Sequence, residues 1–101
     1  MIRALIIEDE FNSQEVLKTI LEEYCNNITV LGIADSVETG IASIKQLNPS
    51  LVFLDVEIKG GTGFDILQAF DNPTFKVIFV TGYDFYAIKA LIIIREISVN
   101  E

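Results

Sequence analysis

Histidine is absent from this chain of 101 residues, and cysteine occurs only once, as Cys25. Without histidine, neither a Ser-His-Asp triad nor a Cys-His pair can be built. A single cysteine excludes an internal disulfide and a cysteine-rich zinc site, so we interpret Cys25 as a structural thiol in a reducing compartment. Any chemistry must therefore use carboxylates, hydroxyls and lysines.

Positive charge is scarce, because 7 Lys and Arg face 15 Asp and Glu, which gives a net charge of -8. Such an acidic chain is not expected to bind nucleic acid directly. The apolar runs are far shorter than the roughly 18 residues that a membrane span needs, and the first residues lack the longer apolar core of a secretory signal. We expect a single cytoplasmic domain over residues 1–101.

Apolar segments alternate with amphipathic ones along the chain. Strands are predicted over residues 2–7, 28–34, 51–54 and 76–80, and a helix is predicted after each of them. The helix starts are marked by Asn12 with Glu15, Ser36, Thr62 with Asp65, and Asp84, and two helix ends by Asn48-Pro49 and Asn72-Pro73. This alternation predicts an α/β fold, an open parallel sheet with helices on both faces and strand order 2-1-3-4.

Three acids follow the predicted strands at the point where the winding direction reverses: Glu8 and Asp9 after the first strand and Asp55 after the third. Unit charges about 4 Å apart repel by ~1 kcal/mol in water and ~4 kcal/mol at an effective dielectric near 20. A hard cation relieves this repulsion, and oxygen-only ligands suit Mg²⁺, with Mn²⁺ as a substitute. The competing interpretation is that each acid is an ordinary loop residue or helix cap, which three converging acids make less favourable.

Asp55 is the predicted nucleophile, because it directly follows an apolar strand that holds its carboxylate rigidly beside the metal. The product is an aspartyl phosphate. Thr81 ends the neighbouring strand, so its hydroxyl is expected to bond a phosphoryl oxygen, although threonine at a strand end is equally explained by β-propensity. Gly82 beside it lets the backbone approach an anion closely.

Four segments together resemble a response-regulator receiver domain over about residues 1–90: LIIEDE at residues 5–10, LVFLDVE at 51–57, GGTGF at 60–64 and VIFVTG at 77–82. The chain is most similar to receivers that precede LytTR-type DNA-binding domains, particularly over residues 79–89. The resemblance implies a flavodoxin-like, receiver-type fold and a role in two-component signalling. A partner histidine kinase then donates a phosphoryl group, and the receiver changes its protein partners.

The resemblance also implies a role for individual residues. Glu8 and Asp9 stand where the family has its acidic metal pair, and Asp55 stands where it has the phosphoacceptor. The backbone carbonyl of Glu57 completes the metal ligands, and Thr81 supplies the switch hydroxyl.

The last residues depart from the family pattern. Receivers continue into a fifth strand, a lysine that reaches the phosphoryl group, a proline and a fifth helix, whereas residues 91–101 contain neither lysine nor proline. Lys89 comes too early for that role. The β-branched tail is compatible with an edge strand against the fourth strand or with an extension of the fourth helix. Because either arrangement leaves apolar surface uncovered, we expect a homodimer or an exchange of elements between protomers.

Two rival functions remain open from the sequence. Without the family lysine, the chain is also compatible with an interaction module of the same fold that is not phosphorylated. A phosphohydrolase with Asp55 as nucleophile and Glu57 as general acid is less favoured, because 101 residues leave little space for a substrate-selecting cap.

Overall fold

The computed structural model describes residues 1–80 in full, and Thr81 and residues 92–98 by their backbone. Three helices and seven strands occur in these ranges. In chain order they are β1 (Ile2–Ile7), α1 (Phe11–Tyr24), β2 (Ile28–Ala34), α2 (Val37–Leu47), β3 (Leu51–Asp55), β4 (Glu57–Ile58), β5 (Gly61–Thr62), α3 (Gly63–Gln68), β6 (Lys76–Thr81) and β7 (Ile92–Ser98).

The main sheet has the strand order β2-β1-β3-β6-β7. The first four of these strands are parallel, and β6 is the predicted fourth strand, so the predicted order 2-1-3-4 is confirmed. β3 lies in the middle of the sheet. It pairs with β1 along one edge and with β6 along the other, in registers that include Ile7 with Leu54 and Asp55 with Val80.

Apolar residues form one core on each face of this sheet, because β1 and β3 direct alternate side chains to opposite faces. Toward α2 and α3 the buried cluster comprises Leu5, Ile7, Ala34, Ile44, Val52, Leu54, Ile58, Ile66, Phe75, Val77 and Phe79. Toward α1 it comprises Ala4, Ile6, Leu17, Leu21, Leu51, Phe53 and Val80. The continuous apolar runs of β1 and β3 are thus explained by burial on both faces.

Two helix starts match their predicted caps. The Ser36 hydroxyl accepts a hydrogen bond from the Thr39 N–H at 3.0 Å, and the Thr39 hydroxyl in turn accepts a hydrogen bond from the Ser36 N–H. Thr62 and Asp65 form the same reciprocal arrangement at the start of α3. These capping boxes satisfy amide groups that have no partner inside the helix.

The predicted start of α1 is wrong. The helix begins at Phe11 with Glu10 in the N-cap position, so Asn12 already lies inside the helix and cannot cap it. The Glu10 side chain makes no capping hydrogen bond to any described residue. Instead, the first turn is closed by the Gln14 N–H, which donates to the Glu10 carbonyl at 3.0 Å.

The predicted end of α3 at Asn72-Pro73 is also wrong, because the helix ends at Gln68 with Ala69 as C-cap. Beyond it the chain turns back toward the core. The ring of Phe70 packs edge-to-face against that of Phe75, with ring centroids 5.5 Å apart, and Phe75 is buried. Packing of these two rings takes the place of the last predicted helical turn.

The tail forms the edge strand β7, which runs antiparallel to β6. Of the two interpretations of this segment, the edge strand is therefore confirmed. Residues 82–91 join the two strands, and a parallel crossover needs about a dozen residues or more, so the connection length favours an antiparallel return. The fourth helix predicted from Asp84, which contains Tyr86, Lys89 and Ala90, lies outside the described residues.

Arg3 ties β1 to the end of α2. Its guanidinium donates to the carbonyls of Leu47 and Asn48, each at 2.6 Å, and its backbone exchanges hydrogen bonds with Ser50. Asn48 itself adopts a left-handed conformation with φ 49° that ends the helix. A cation on these last carbonyls also opposes the negative end of the helix dipole.

We expect Arg3→Met to lower the free energy of unfolding by about 1–2 kcal/mol, because two charge-assisted hydrogen bonds are lost. Urea denaturation measures this. Lys45→Met is the matched control, since it removes a positive charge from the last turn of the same helix, and its cost is expected to stay within about 0.5 kcal/mol. Equal losses for the two variants would show that charge alone, and not the paired carbonyls, accounts for the effect.

Candidate functional site

Glu8, Asp9 and Asp55 meet at the carboxyl edge of the sheet. Glu8 and Asp9 follow β1, Asp55 ends β3, and these two strands are direct neighbours. One carboxylate oxygen from each residue lies within 4.8 Å of the others, the one such cluster in the described part of the chain. The convergence expected from the strand ends is therefore present.

Glu8 is the most enclosed member of this acidic cluster, with 9% of its surface exposed. Its backbone is hydrogen-bonded to β2 and to α1. The Glu8 N–H donates to the Ala34 carbonyl at 2.9 Å, and the Glu8 carbonyl accepts from the Gln14 side chain at 2.7 Å. Its carboxylate accepts a hydrogen bond from the Glu10 N–H at 3.0 Å. Hydrogen bonds with Ala34, Glu10 and Gln14 thus hold Glu8 in its buried position.

Burial raises the pKa of Glu8 from 4.5 to about 8, and the negative charge of Asp55 adds to this, while the Glu10 N–H acts in the opposite direction. Burial also raises the pKa of Asp55, and the charge of Asp9 contributes. A hydrogen bond from Glu8 and the N–H groups of Glu57 and Val56 oppose that rise. Without a metal, the raised pKa favours the protonated form of Glu8, hydrogen-bonded to Asp55.

The donor chemistry of the cluster fits a hard divalent cation. All three ligating groups are carboxylates, and magnesium in proteins is bound through one or two carboxylates together with waters and a phosphate. A dication bound here would favour the ionised carboxylates and would offset the mutual repulsion that adds to the effect of burial on these pKa values. Mg²⁺ fits this set, and Mn²⁺ has the same ligand preference.

The loop after Asp55 contains a small hairpin that was not predicted. β4 and β5 pair antiparallel around the turn Lys59-Gly60, with Gly60 at φ 92° and Gly61 at φ 151°. The three glycines of this segment were the available signal, since positive φ values favour glycine. The Lys59 carbonyl accepts a hydrogen bond from the Val37 N–H at 2.9 Å, which anchors the hairpin to the start of α2.

The remaining predicted site residues are placed less completely. Thr81 ends β6 and follows Val80, the pairing partner of Asp55, so its backbone lies at the same sheet edge; its side chain is outside the described residues. Gly82 is outside them as well. Glu57 begins β4 with an exposed side chain and does not join the acidic cluster. Its carbonyl as a metal ligand stays a prediction.

A cavity of about 10 Å³ adjoins the acids, lined by Ile7, Glu8, Ser13, Leu17, Phe53, Leu54, Asp55 and Val80. Such a volume holds at most a single water. This cavity is therefore too small to enclose an organic substrate. Among the described residues, no helix is both long and apolar enough to cross a membrane.

Comparison with known proteins agrees with this architecture. The family model for the response regulator receiver domain matches residues 4–94. An uncharacterised response regulatory protein of Vibrio parahaemolyticus is 40% identical over 91 residues, which cover 89% of this chain and 37% of that protein. The sensory transduction protein LytT of Bacillus subtilis is 34% identical over 93 residues, with 89% and 38% covered.

Solved structures show the same fold. The response regulator domain of Thermotoga maritima CheB matches with a TM-score of 0.71 at 24% identity, covering 78% of this chain and 59% of that one. The response regulator PhyR of Brucella abortus matches with a TM-score of 0.70 at 28% identity, covering 93% and 37%. This chain belongs to the response regulator receiver domain family of two-component signalling. It spans less than two fifths of the length of the curated relatives described above.

The raised pKa of Glu8 predicts an unusual pH dependence of stability. An acid with a folded-state pKa above its unfolded value favours folding less as it ionises, so the metal-free free energy of unfolding should fall as pH rises from about 4.5 to about 8. The expected change is on the order of a few kcal/mol. Urea denaturation at pH 5, 6.5 and 8 in the presence of a chelator measures it.

Glu8→Gln is the control for this prediction, because glutamine keeps the shape of the side chain and does not titrate. Its stability should change much less over the same pH range. Added Mg²⁺ should stabilise the original chain more at pH 8 than at pH 5, since the metal requires the ionised carboxylates. A slope that persists unchanged in Glu8→Gln would show that another group produces it.

Proposed function

We propose that Asp55 accepts a phosphoryl group from a partner histidine kinase, with Mg²⁺ or Mn²⁺ as cofactor, and that phosphorylation changes the protein partners of this receiver. The observation that carries the proposal is the acidic cluster at the end of β3, in which Asp55 stands beside two further carboxylates within 4.8 Å. The family membership supports the same reaction. We also propose a cytoplasmic location, where such a kinase presents its phosphorylated domain.

In this reaction a carboxylate oxygen of Asp55 attacks phosphorus, the bond from phosphorus to the donor nitrogen breaks, and the donor imidazole leaves with that electron pair. Glu8, Asp9 and Asp55 hold the metal, together with the carbonyl of Glu57. The bound cation supplies positive charge that offsets the negative charge of the phosphoryl oxygens. Because burial raises the pKa of Glu8, ionisation of Glu8 would be coupled to metal binding.

Two residues, at the end of β6 and directly after it in the sequence, act on the phosphoryl group in this proposal. The Thr81 hydroxyl donates a hydrogen bond to a phosphoryl oxygen, and Gly82 permits close approach of the backbone. The position of Thr81 directly after Val80, the residue paired with Asp55, supports this role. Movement of Thr81 toward the bound group is then the local event that alters the surface beyond β6.

A second candidate is a receiver that does not accept phosphate and acts by interaction alone. One observation favours it: β7 occupies the sheet edge beyond β6, and its sequence contains Arg95 but no lysine. The lysine that stabilises phosphoryl transfer in the family is then not supplied from this strand. We propose no enzymatic turnover of small substrates, because the space beside Asp55 is small and Glu57 is exposed outside the cluster.

The output of the whole protein is also a proposal. Relatives that continue beyond the matched segment include a sensory transduction protein and a transcriptional regulatory protein, BtsR of Escherichia coli, of which this chain covers 38%. We propose that this receiver belongs to a transcription regulator whose DNA contacts lie in another domain. The net charge of -8 agrees with a segment that does not itself bind DNA.

Incubation with acetyl phosphate and Mg²⁺ is expected to add one phosphoryl group to the chain, detected by intact-mass analysis. Asp55→Asn should abolish the adduct, and Asp9→Asn should slow its formation at least about tenfold, because metal binding is weakened. Thr81→Ala should slow phosphorylation while Thr81→Ser retains it. A folded, Mg²⁺-binding chain that gains no adduct would establish the interaction module as the function.

We further propose that the chain forms a homodimer or a swapped oligomer. Light scattering with in-line size exclusion over a wide range of protein concentration should give twice the monomer mass, and addition of acetyl phosphate with Mg²⁺ should shift the equilibrium. The matched control is Asp55→Asn, which should not respond to the phosphodonor. A monodisperse monomer at the highest concentration in both states would contradict this assembly.

A further inference from the structure

We infer that Gly63, the first residue of α3, is a positioning residue for Asp55: it allows the start of this helix to rest directly against the backbone of the acceptor. This inference rests on the proposed function only for its consequence on phosphorylation. The contact itself is a property of the fold. Gly63 is buried, and as a glycine it has no side chain that could join the acidic cluster.

The argument begins with the space around Gly63. A Cβ atom built there would lie 2.6 Å from the carbonyl oxygen of Asp55 and 2.8 Å from Cγ of Leu54. Both separations are far shorter than van der Waals contact between these atom types. The carbonyl oxygen belongs to the backbone of Asp55, which pairs with Val80 and directly follows Leu54, a residue paired along both edges of the strand. It therefore cannot move away as the end of a flexible side chain would.

The next step is how the helix start is held. The Gly63 N–H donates to the Val56 carbonyl at 2.8 Å, so the helix start and the peptide groups after Asp55 are joined by a direct hydrogen bond. The capping box of Thr62 and Asp65, which begins one residue before Gly63, holds the orientation of the first helical turn. The peptide group that joins Asp55 to Val56 therefore lies at the end of β3, directly against the beginning of α3.

The consequence for the acceptor follows from which atoms this segment carries. The N–H groups of Val56 and Glu57 donate hydrogen bonds to the Asp55 carboxylate. A displacement of the Asp55 carbonyl tilts the same peptide groups, and it rotates the carboxylate relative to Glu8 and Asp9. Functional sites require their groups to stay within about 0.5 Å of the productive geometry. Gly63 thus acts on the reaction through the backbone of Asp55.

The test is Gly63→Ala, compared with two controls. Gly32→Ala adds the same methyl group in β2, where the nearest atom would lie 3.5 Å away, and Ile66→Val removes a buried methyl group from α3 without touching Asp55. We expect Gly63→Ala to weaken Mg²⁺ affinity by calorimetry and slow acetyl phosphate labelling, each by about tenfold or more. Both controls should stay within about twofold, even where Ile66→Val lowers stability by ~1 kcal/mol.

A spectroscopic measurement separates positioning from simple loss of stability. In ¹⁵N-labelled protein under conditions where each variant is folded, Gly63→Ala should shift the amide signals of Val56 and Glu57, whereas Ile66→Val at matched stability should leave them in place. Unchanged amide signals together with unchanged Mg²⁺ affinity in Gly63→Ala would overturn the inference. An original chain that binds Mg²⁺ but takes no phosphoryl group would refute the proposed function and leave this comparison decisive.

A second variant covers the case in which Gly63→Ala does not fold. Thr62→Val removes the hydroxyl that caps α3 and adds no atom beside Asp55. A loosened helix start should weaken Mg²⁺ affinity by about threefold and broaden or shift the same two amide signals, since a lost cap costs about 1 kcal/mol locally. Unchanged affinity and unchanged signals in this variant would show that the start of α3 does not position Asp55.

Discussion

The burial of β3 on both faces, with hydrogen-bonded neighbours along both edges, is the constraint on which the rest of the molecule depends. Residues 51–54 are all buried, and every one of them pairs with both β1 and β6. A strand held in this way has no freedom to slide or tilt. Asp55 therefore emerges at a defined point, and the chain must turn at once, which the β4–β5 hairpin and the beginning of α3 accomplish within a few residues.

Electrostatics at this strand end work against the metal-free fold. Three carboxylates are brought together where Glu8 is nearly inaccessible to water, and burial together with mutual repulsion favours the protonated form of Glu8. Protonation of Glu8 would reduce this charge, and a bound cation would offset the charge of the ionised form. The backbone N–H groups of Glu10, Val56 and Glu57 add partial positive charge around the cluster. Such an arrangement is destabilising for folding and favourable for binding a dication, a combination that is common where a site is arranged for function.

The first ninety residues follow the family pattern, whereas the sheet edge beyond β6 departs from it. Because residues 82–91 are few, the chain returns antiparallel and contributes Ile92–Ser98 as the edge strand. An antiparallel edge pairs well with β6, but it reverses the order in which its residues approach the acidic cluster. A parallel fifth strand would end at the carboxyl edge of the sheet. The antiparallel β7 instead begins at that edge, where Ile92 pairs with Thr81. The residues at this part of the carboxyl edge therefore differ from those that a parallel fifth strand would contribute.

The sequence by itself determined the four parallel strands, their order, two of the helix caps and the meeting of Glu8, Asp9 and Asp55, because apolar runs ending in acids report burial and strand ends directly. It predicted the start of α1 and the end of α3 incorrectly, since Glu10 begins its helix without a side-chain cap and Phe70 leaves its helix to pack on Phe75. Only the tertiary structure decided the direction of β7, the β4–β5 hairpin, the burial that raises the pKa of Glu8, and the close approach of Gly63 to the Asp55 carbonyl. These features depend on distances between segments remote in sequence, which local patterns of residue type do not contain.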